Sequence, residues 1–169
     1  MSAGSGDGGT THVVGWLAGA ASIDRGMRTP GESWWAAELP TDEQAKGLVT
    51  LPISPDVVLA HEALATPGLI SRLGDGFGWD PKDLAYARLA QREHTSRVLS
   101  VLDPTKETLL VSGHYHFRHS ERAALERLSD GEVVSLPVRQ EILDRERTPG
   151  SLAVLDLTGE TPRLEDVPA

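Results

Sequence analysis

The sequence LLVSGHYHFRHS, which spans Leu109–Ser120, carries a short apolar run to a glycine and then places three histidines close together. They are His114, His116 and His119, and they make up half of the six histidines in the chain. The apolar run predicts a buried β-strand over residues 108–112 that ends at Gly113. A cluster of imidazoles therefore follows directly after one strand.

A second strand of the same kind lies earlier in the chain. Residues 56–60, DVVLA, form another β-branched apolar run, which ends at His61 and Glu62. Between the two strands, Asp80 and Pro81 are typical of a helix start, and the Leu- and Ala-rich sequence predicts a helix from Pro81 to about Leu102. The order strand, helix, strand predicts a right-handed β-α-β unit whose two strands are parallel.

The two parallel strands predict where the histidines lie. Parallel strands end at the same edge of a sheet, which is where open α/β sheets bind their ligands, so we expect His61, His114 and His116 to meet there. In an extended segment His114 and His116 point to the same side, and Gly113 removes a side chain where the chains would crowd. Imidazole is a common ligand of zinc, iron and other divalent metals. The sequence therefore predicts a metal site formed by the three histidines.

Composition limits the class of protein. We expect residues 12–169 to form one domain and the glycine-rich residues 1–11 to be flexible. A net charge of −9 without a basic cluster argues against nucleic-acid binding, and no apolar run approaches the roughly 20 residues of a membrane helix. The absence of Cys excludes disulfides and thiolate ligands.

Because no Lys or Arg precedes Val13–Ser22, we interpret this apolar segment as a strand and turn of a cytoplasmic protein, not a signal peptide.

The remaining pattern completes an α/β fold. A strand is predicted over residues 13–17, and the capping-box spacing of Thr41 and Gln44 predicts a helix to about Leu48. Further elements are a short helix over residues 120–128, a strand over 132–138 after the Asp130–Gly131 turn, and a last strand over 151–157.

These residues resemble the calcineurin-like metallophosphoesterases of bacteria and phages. The resemblance rests on His61 in VVLAHEA and on the Gly-His-x-His motif that begins at Gly113, and it extends over Val13–Thr158 through GWLAGAASIDRGMRTPGESWW and PGSLAVLDL. It implies part of a layered α/β sandwich with a mixed β-sheet and flanking helices. It also implies a divalent metal ion, Mn, Zn or Fe, with His61 and His114 on one metal and His116 on the other, and hydrolysis of phosphomono- or phosphodiesters.

The chain departs from this family in its first half. The family's Asp-x-His, Gly-Asp and Gly-Asn-His motifs have no counterpart here, since Gly6-Asp7-Gly8 lacks a preceding strand. We therefore expect the C-terminal half of the family fold, with hydrolysis impaired in this chain alone. The alternative is a non-catalytic metal-binding or partner-binding module, a truncated or split-enzyme half. Either way, exposed strand edges predict a homo-oligomer or a complementary N-terminal half as partner.

Other residues near the predicted site allow two interpretations. Asp24 is either a turn aspartate that caps backbone N–H groups or a site residue. The pair Trp34 and Trp35 either anchors a loop by burial or forms a stacking platform. Glu62 is either a carboxylate that orients an imidazole or an exposed strand-end residue.

Two further histidines are interpreted as structural. His94 lies in the middle of the predicted helix between charged neighbours, which predicts a solvated position. His119 either extends the histidine cluster toward a substrate or forms the polar start of the helix predicted over residues 120–128.

Overall fold

The computed structural model describes residues 10–76 and 78–167. Residues 1–9 of the predicted flexible segment, including Asp7, lie outside this range. The strands are β1 (Val14–Leu17), β2 (Val57–Ala60), β3 (Thr108–Ser112), β4 (His119–Ser129), β5 (Glu132–Ile142), β6 (Ala153–Asp156) and β7 (Arg163–Asp166). The α-helices are α1 (Asp42–Val49), α2 (Pro67–Leu73) and α3 (Pro81–Leu99), and two short 3₁₀ helices span Arg25–Met27 and Ala36–Glu38.

A mixed five-stranded sheet with flanking helices forms the centre of the α/β fold. Its strand order is β1-β2-β3-β5-β4, in which the first four strands are parallel and β4 runs antiparallel to β5. The predicted β-α-β unit is confirmed, because β2 and β3 are parallel neighbours on either side of α3 in the sequence. The ends of β1, β2, β3 and β5 consequently share one edge of the sheet.

Each face of the sheet buries apolar side chains. On one face, Val58 and Leu110 pack with Leu48 of α1 and Val98 of α3. On the other, β2 and β3 pack against the antiparallel pair β6 and β7, and this cluster contains Val57, Leu109, Val111, Leu155 and Leu164. The sheet is therefore a central layer between helices and a small two-stranded ribbon.

The predicted helix caps are confirmed. Thr41 Oγ1 accepts a hydrogen bond from Gln44 N, and the Gln44 side chain accepts one from Thr41 N, which forms the capping box of α1. The Asp80 carboxylate accepts from the N–H groups of Lys82 and Asp83 at the start of α3. Both signals are local in sequence, which is why they could be recognised there.

The prediction of a helix over residues 120–128 is wrong. These residues lie in β4, whose side chains alternate between exposed and half-buried and pair with β5 along the whole strand. Asp130 and Gly131 both have positive φ, at 51° and 86°, as a two-residue hairpin turn requires. Cross-strand pairing thus overrides the helix propensity of an Ala-, Leu- and Glu-rich segment. The partner strand β5 also continues to Ile142, beyond the predicted end at residue 138.

Sequence reasoning missed α2 and β7. The N-terminus of α2 is capped from another strand: the Glu121 carboxylate of β4 accepts hydrogen bonds from Gly68 N at 2.8 Å and Leu69 N at 3.2 Å. Burial of Glu121 opposes ionisation, but these bonds and those from Thr66 and His119 lower its pKa overall. The helix also has local signals that sequence reasoning passed over, namely Thr66 before Pro67 at its start and Gly74 with positive φ at its end.

The prediction that His94 is solvated is also wrong. His94 is 4% exposed, because it lies on the same side of α3 as Ala90, Gln91 and Val98, which face the sheet. Its charged neighbours Arg92 and Glu93 are exposed, as the 3.6-residue period of a helix allows.

The edge strand β1 leaves apolar side chains uncovered. Trp16 is 81% exposed, with Val14 on the same strand and Leu59 on β2 also partly exposed. Trp16 and Leu59 are register partners and so lie on one face of the sheet.

Within residues 10–76 and 78–167, no helix is long and apolar enough to cross a membrane.

Candidate functional site

Two loops at the carboxyl edge of the sheet bring His61 and His114 together. His61 follows β2 and His114 follows β3, and their ring centroids lie 5.2 Å apart in an edge-on arrangement. Gly113 N donates to the His61 carbonyl oxygen at 3.3 Å, which ties the two loops by backbone. The predicted meeting of these two imidazoles is therefore observed, and it follows from the parallel pairing of β2 and β3.

The predicted crowding at Gly113 is not observed. A Cβ built on this residue would lie 3.8 Å from His61 Nδ1, which is an ordinary van der Waals contact. Space for the imidazole therefore does not demand a glycine here.

The loop after β3 is not extended, so the prediction that alternation aligns His114 and His116 is wrong. Both residues have left-handed backbones, with φ of 70° and 57°. Histidine tolerates this region better than most residues, but it remains uncommon and marks a loop held by its surroundings.

Tyr115 holds the loop between the two histidines. Its hydroxyl donates to Glu62 Oε1 at 2.6 Å and accepts from Gln91 Nε2 of α3 at 2.7 Å. Phe117 lies under the guanidinium group of Arg72, 3.9 Å from the ring centroid. These anchors on both sides of His116 offset the backbone strain. Sequence reasoning missed the contact between Tyr115 and Gln91 because the two residues are far apart in the chain.

The surroundings favour neutral imidazoles. Partial burial lowers the pKa of His61, and the charges of His114 and His116 lower it further, against the opposing effect of Glu62. Burial also lowers the pKa of His114, followed by the charge of His116, although the Ala21 backbone, Glu38 and Asp24 act in the other direction. The neutral ring is the form that binds a metal ion.

The ring centroids of His61 and His114 are separated by 5.2 Å with an interplanar angle of 67°, which is the ordinary geometry of an edge-on ring contact. His116 acts electrostatically on both rings but is exposed to solvent. In the part of the chain that the structure describes, no group of three His, Asp or Glu side chains is arranged to hold a metal ion. The chain thus brings together two of the three predicted ligands and leaves the third nearby.

Glu62 is buried, not exposed. It is 3% exposed and accepts hydrogen bonds from Tyr115 and from Ala63 N. Burial raises the pKa of Glu62 despite these bonds. Its observed role is to fix Tyr115, and through Tyr115 the loop that carries His114 and His116.

Asp24 makes no capping hydrogen bond to the short helix that follows it, so the first of its two interpretations is wrong. Its two carboxylate oxygens accept hydrogen bonds from Arg28 Nε and Nη2, at 2.6 and 2.8 Å, which lower the pKa of Asp24. Its charge nevertheless reaches His114, so it lies near the site.

The remaining candidates lie around this centre. Trp35 is 56% exposed, so the prediction that it anchors a loop by burial is wrong, while Trp34 is half-buried beside Arg25. His119 begins β4 instead of leading into a helix, and its Nε2 lies 3.2 Å from Glu121 Oε2.

Comparison of the chain with protein-family models, curated proteins and solved structures found no match.

Proposed function

We propose that this chain binds a divalent transition-metal ion through His61 and His114, with His116 at a neighbouring position, as part of a metallophosphoesterase-like centre. The observation that carries the proposal is the imidazole pair at the carboxyl edge of a parallel sheet, with a centroid separation of 5.2 Å. The substrate class that the motif resemblance implies is a phosphomono- or phosphodiester. The cytoplasmic location stays a prediction of the sequence.

A bound divalent ion supplies Lewis-acid stabilisation of phosphate oxygens and activates water at neutral pH. The chain's own contribution is to present neutral imidazoles on anchored loops, with Glu62 and Tyr115 fixing their position. Three carboxylates act electrostatically on the pair, namely Asp24, Glu38 and Glu62, and each already accepts hydrogen bonds from protein groups. A carboxylate that bridges two metals would have to break such bonds, which supports an impaired activity for the isolated chain.

Calorimetric titration with zinc or manganese tests metal binding. We expect His61→Ala and His114→Ala each to weaken binding by at least about 100-fold, since loss of a group that only orients a ligand already costs about 10–100-fold. His12→Gln is the matched control, because His12 lies elsewhere, bonded to the Gly159 carbonyl oxygen, and its loss should leave the affinity unchanged. Binding of the wild type no tighter than millimolar would contradict the proposal.

The second candidate function is a partner-binding module, and the open edge at β1 favours it. Trp16, Val14 and Leu59 are exposed on the edge strand and its neighbour, and such an edge invites another strand. The occupant would be a second copy of the chain or a complementary N-terminal half.

Light scattering at tens of micromolar tests this module. We expect the purified wild type to form a homo-oligomer and Trp16→Lys to be monomeric, because the lysine places a charge at the apolar edge. Trp35→Lys, which also removes an exposed tryptophan but lies in a loop, should behave as the wild type. A monomeric wild type with a cooperative thermal transition would show that the β1 edge is stable without a partner chain and would contradict this candidate function.

A further inference from the structure

Arg25 joins the loop over residues 22–38 to α3. Its Nε donates to Asp83 Oδ1 at 3.0 Å, and Oδ2 of the same carboxylate accepts from Gly26 N at 2.6 Å. The guanidinium carbon also lies 4.1 Å from the ring centroid of Tyr86, three residues further along α3. Asp83 is 5% exposed, and a buried carboxylate is costly to leave without its partner. Arg25 is therefore held by an ion pair and by an aromatic ring.

Tyr86 extends these contacts to the far end of the same loop. Its hydroxyl donates to Glu38 Oε1 at 3.0 Å. Glu38 also accepts hydrogen bonds from the backbone N–H and the hydroxyl of Ser22, where the loop begins. Both ends of the loop thus meet at one carboxylate that is fixed to α3. We refer to Arg25, Asp83 and Tyr86 together as the Arg25 clamp.

The backbone directly before this loop lies beside the histidine pair. Ala21 is fully buried. Burial lowers the pKa of His114 and raises that of Glu62, and in both cases a hydrogen bond with the Ala21 backbone opposes the shift. A carbonyl oxygen that accepts from His114 and an N–H that donates to Glu62 account for the two directions. Ala20 and Glu62 also line one small cavity, so this backbone packs against the loop that follows β2.

We propose that Arg25 is a positioning residue for His114, an inference that rests on the metal site proposed above. Arg25 acts through Asp83 and Tyr86, which fix the loop over residues 22–38 and with it the Ala21 backbone. The carbonyl oxygen of Ala21 then orients the imidazole, as a carbonyl commonly does for a histidine that binds a metal ion.

Nuclear magnetic resonance and calorimetry on the full chain test the positioning role. In the metal-free wild type we expect nuclear Overhauser effects between the ring protons of His114 and the protons of Ala21. Arg25→Gln should abolish them and weaken zinc binding by about 10-fold, the lower end of the usual cost of losing a group that orients a ligand. Arg122→Gln is the matched control, because it also removes an arginine from an ion pair with a carboxylate, but on the edge strand β4. It should change neither measurement.

A second variant makes the test independent of the folding of Arg25→Gln. Tyr86→Phe keeps the ring beneath the guanidinium group and removes only the hydroxyl that binds Glu38. It should weaken the Overhauser effects and the zinc affinity in the same direction. The amide signals of β2, β3 and β5 report whether each variant is folded.

Three results would overturn the positioning role. They are the absence of these Overhauser effects in the wild type, their persistence in folded Arg25→Gln, and an unchanged zinc affinity despite their loss. Because the resonance measurement uses the metal-free chain, a wild type that binds no zinc would contradict the proposed metal site, whereas unchanged Overhauser effects would contradict the role of Arg25.

Discussion

We expect the purified chain, supplied with manganese, to hydrolyse an activated aryl phosphodiester about 10²–10⁴-fold more slowly than an intact two-metal phosphoesterase, because that is the usual cost of losing a positioned acid or base. Three carboxylates act electrostatically on His61 or His114, and each already accepts hydrogen bonds from other residues. Asp24 accepts from Arg28, Glu38 from Ser22 and Tyr86, and Glu62 from Tyr115. None of these three is in position to bridge two ions without losing those bonds.

Release of the coloured phenolate measures this residual activity. It should disappear in His114→Ala and persist in His12→Gln, which leaves the pair intact. Turnover within about 10-fold of an intact two-metal phosphoesterase on the same substrate would contradict the prediction. It would mean that Asp24, Glu38 or Glu62 gives up its present partners and completes the site.

The second large effect concerns stability. Gln140 of β5 is fully buried, and its side-chain amide bonds the loop after β2: Oε1 accepts from Leu64 N at 2.7 Å, and Nε2 donates to Leu64 O at 3.2 Å and to Thr66 Oγ1 at 2.8 Å. Gln140→Leu keeps most of the volume but leaves the backbone groups of Leu64 without partners. At about 1–3 kcal/mol for each unsatisfied buried group, partly offset by added apolar surface, we expect the free energy of unfolding to fall by about 3 kcal/mol.

Urea denaturation measures the change, with Gln44→Leu as the matched substitution. Gln44 lies in the exposed capping box of α1, where the same chemical change should cost about 1 kcal/mol or less. A Gln140→Leu variant within about 0.5 kcal/mol of the wild type would show that the loop satisfies its backbone in another way.

The central β-α-β unit could be read from local signals. The apolar runs of β2 and β3 and the Asp80–Pro81 start of α3 are each contained in a few neighbouring residues. The meeting of His61 and His114 then follows, since parallel strands joined by a helix must end at one edge.

Other features depend on groups that are distant in the chain. Glu121 caps α2 and Gln140 holds the loop after β2, and these two contacts could not be read from either segment because their partners are distant in the chain. The burial of His94 was mispredicted for a related reason: its neighbours in sequence are charged, but it lies on the buried side of α3 with Ala90, Gln91 and Val98.

The amino-acid sequence by itself thus determined the parallel pair β2 and β3, the ends of these two strands and the imidazole pair, because these follow from the apolar pattern and from the handedness of a β-α-β connection. Only the tertiary structure decided that residues 119–129 are a strand, since pairing with β5 outweighs their helix propensity. It also decided the left-handed turns at His114 and His116, because the hydrogen bonds of Tyr115 to Glu62 and Gln91 hold a backbone that the loop alone would not keep.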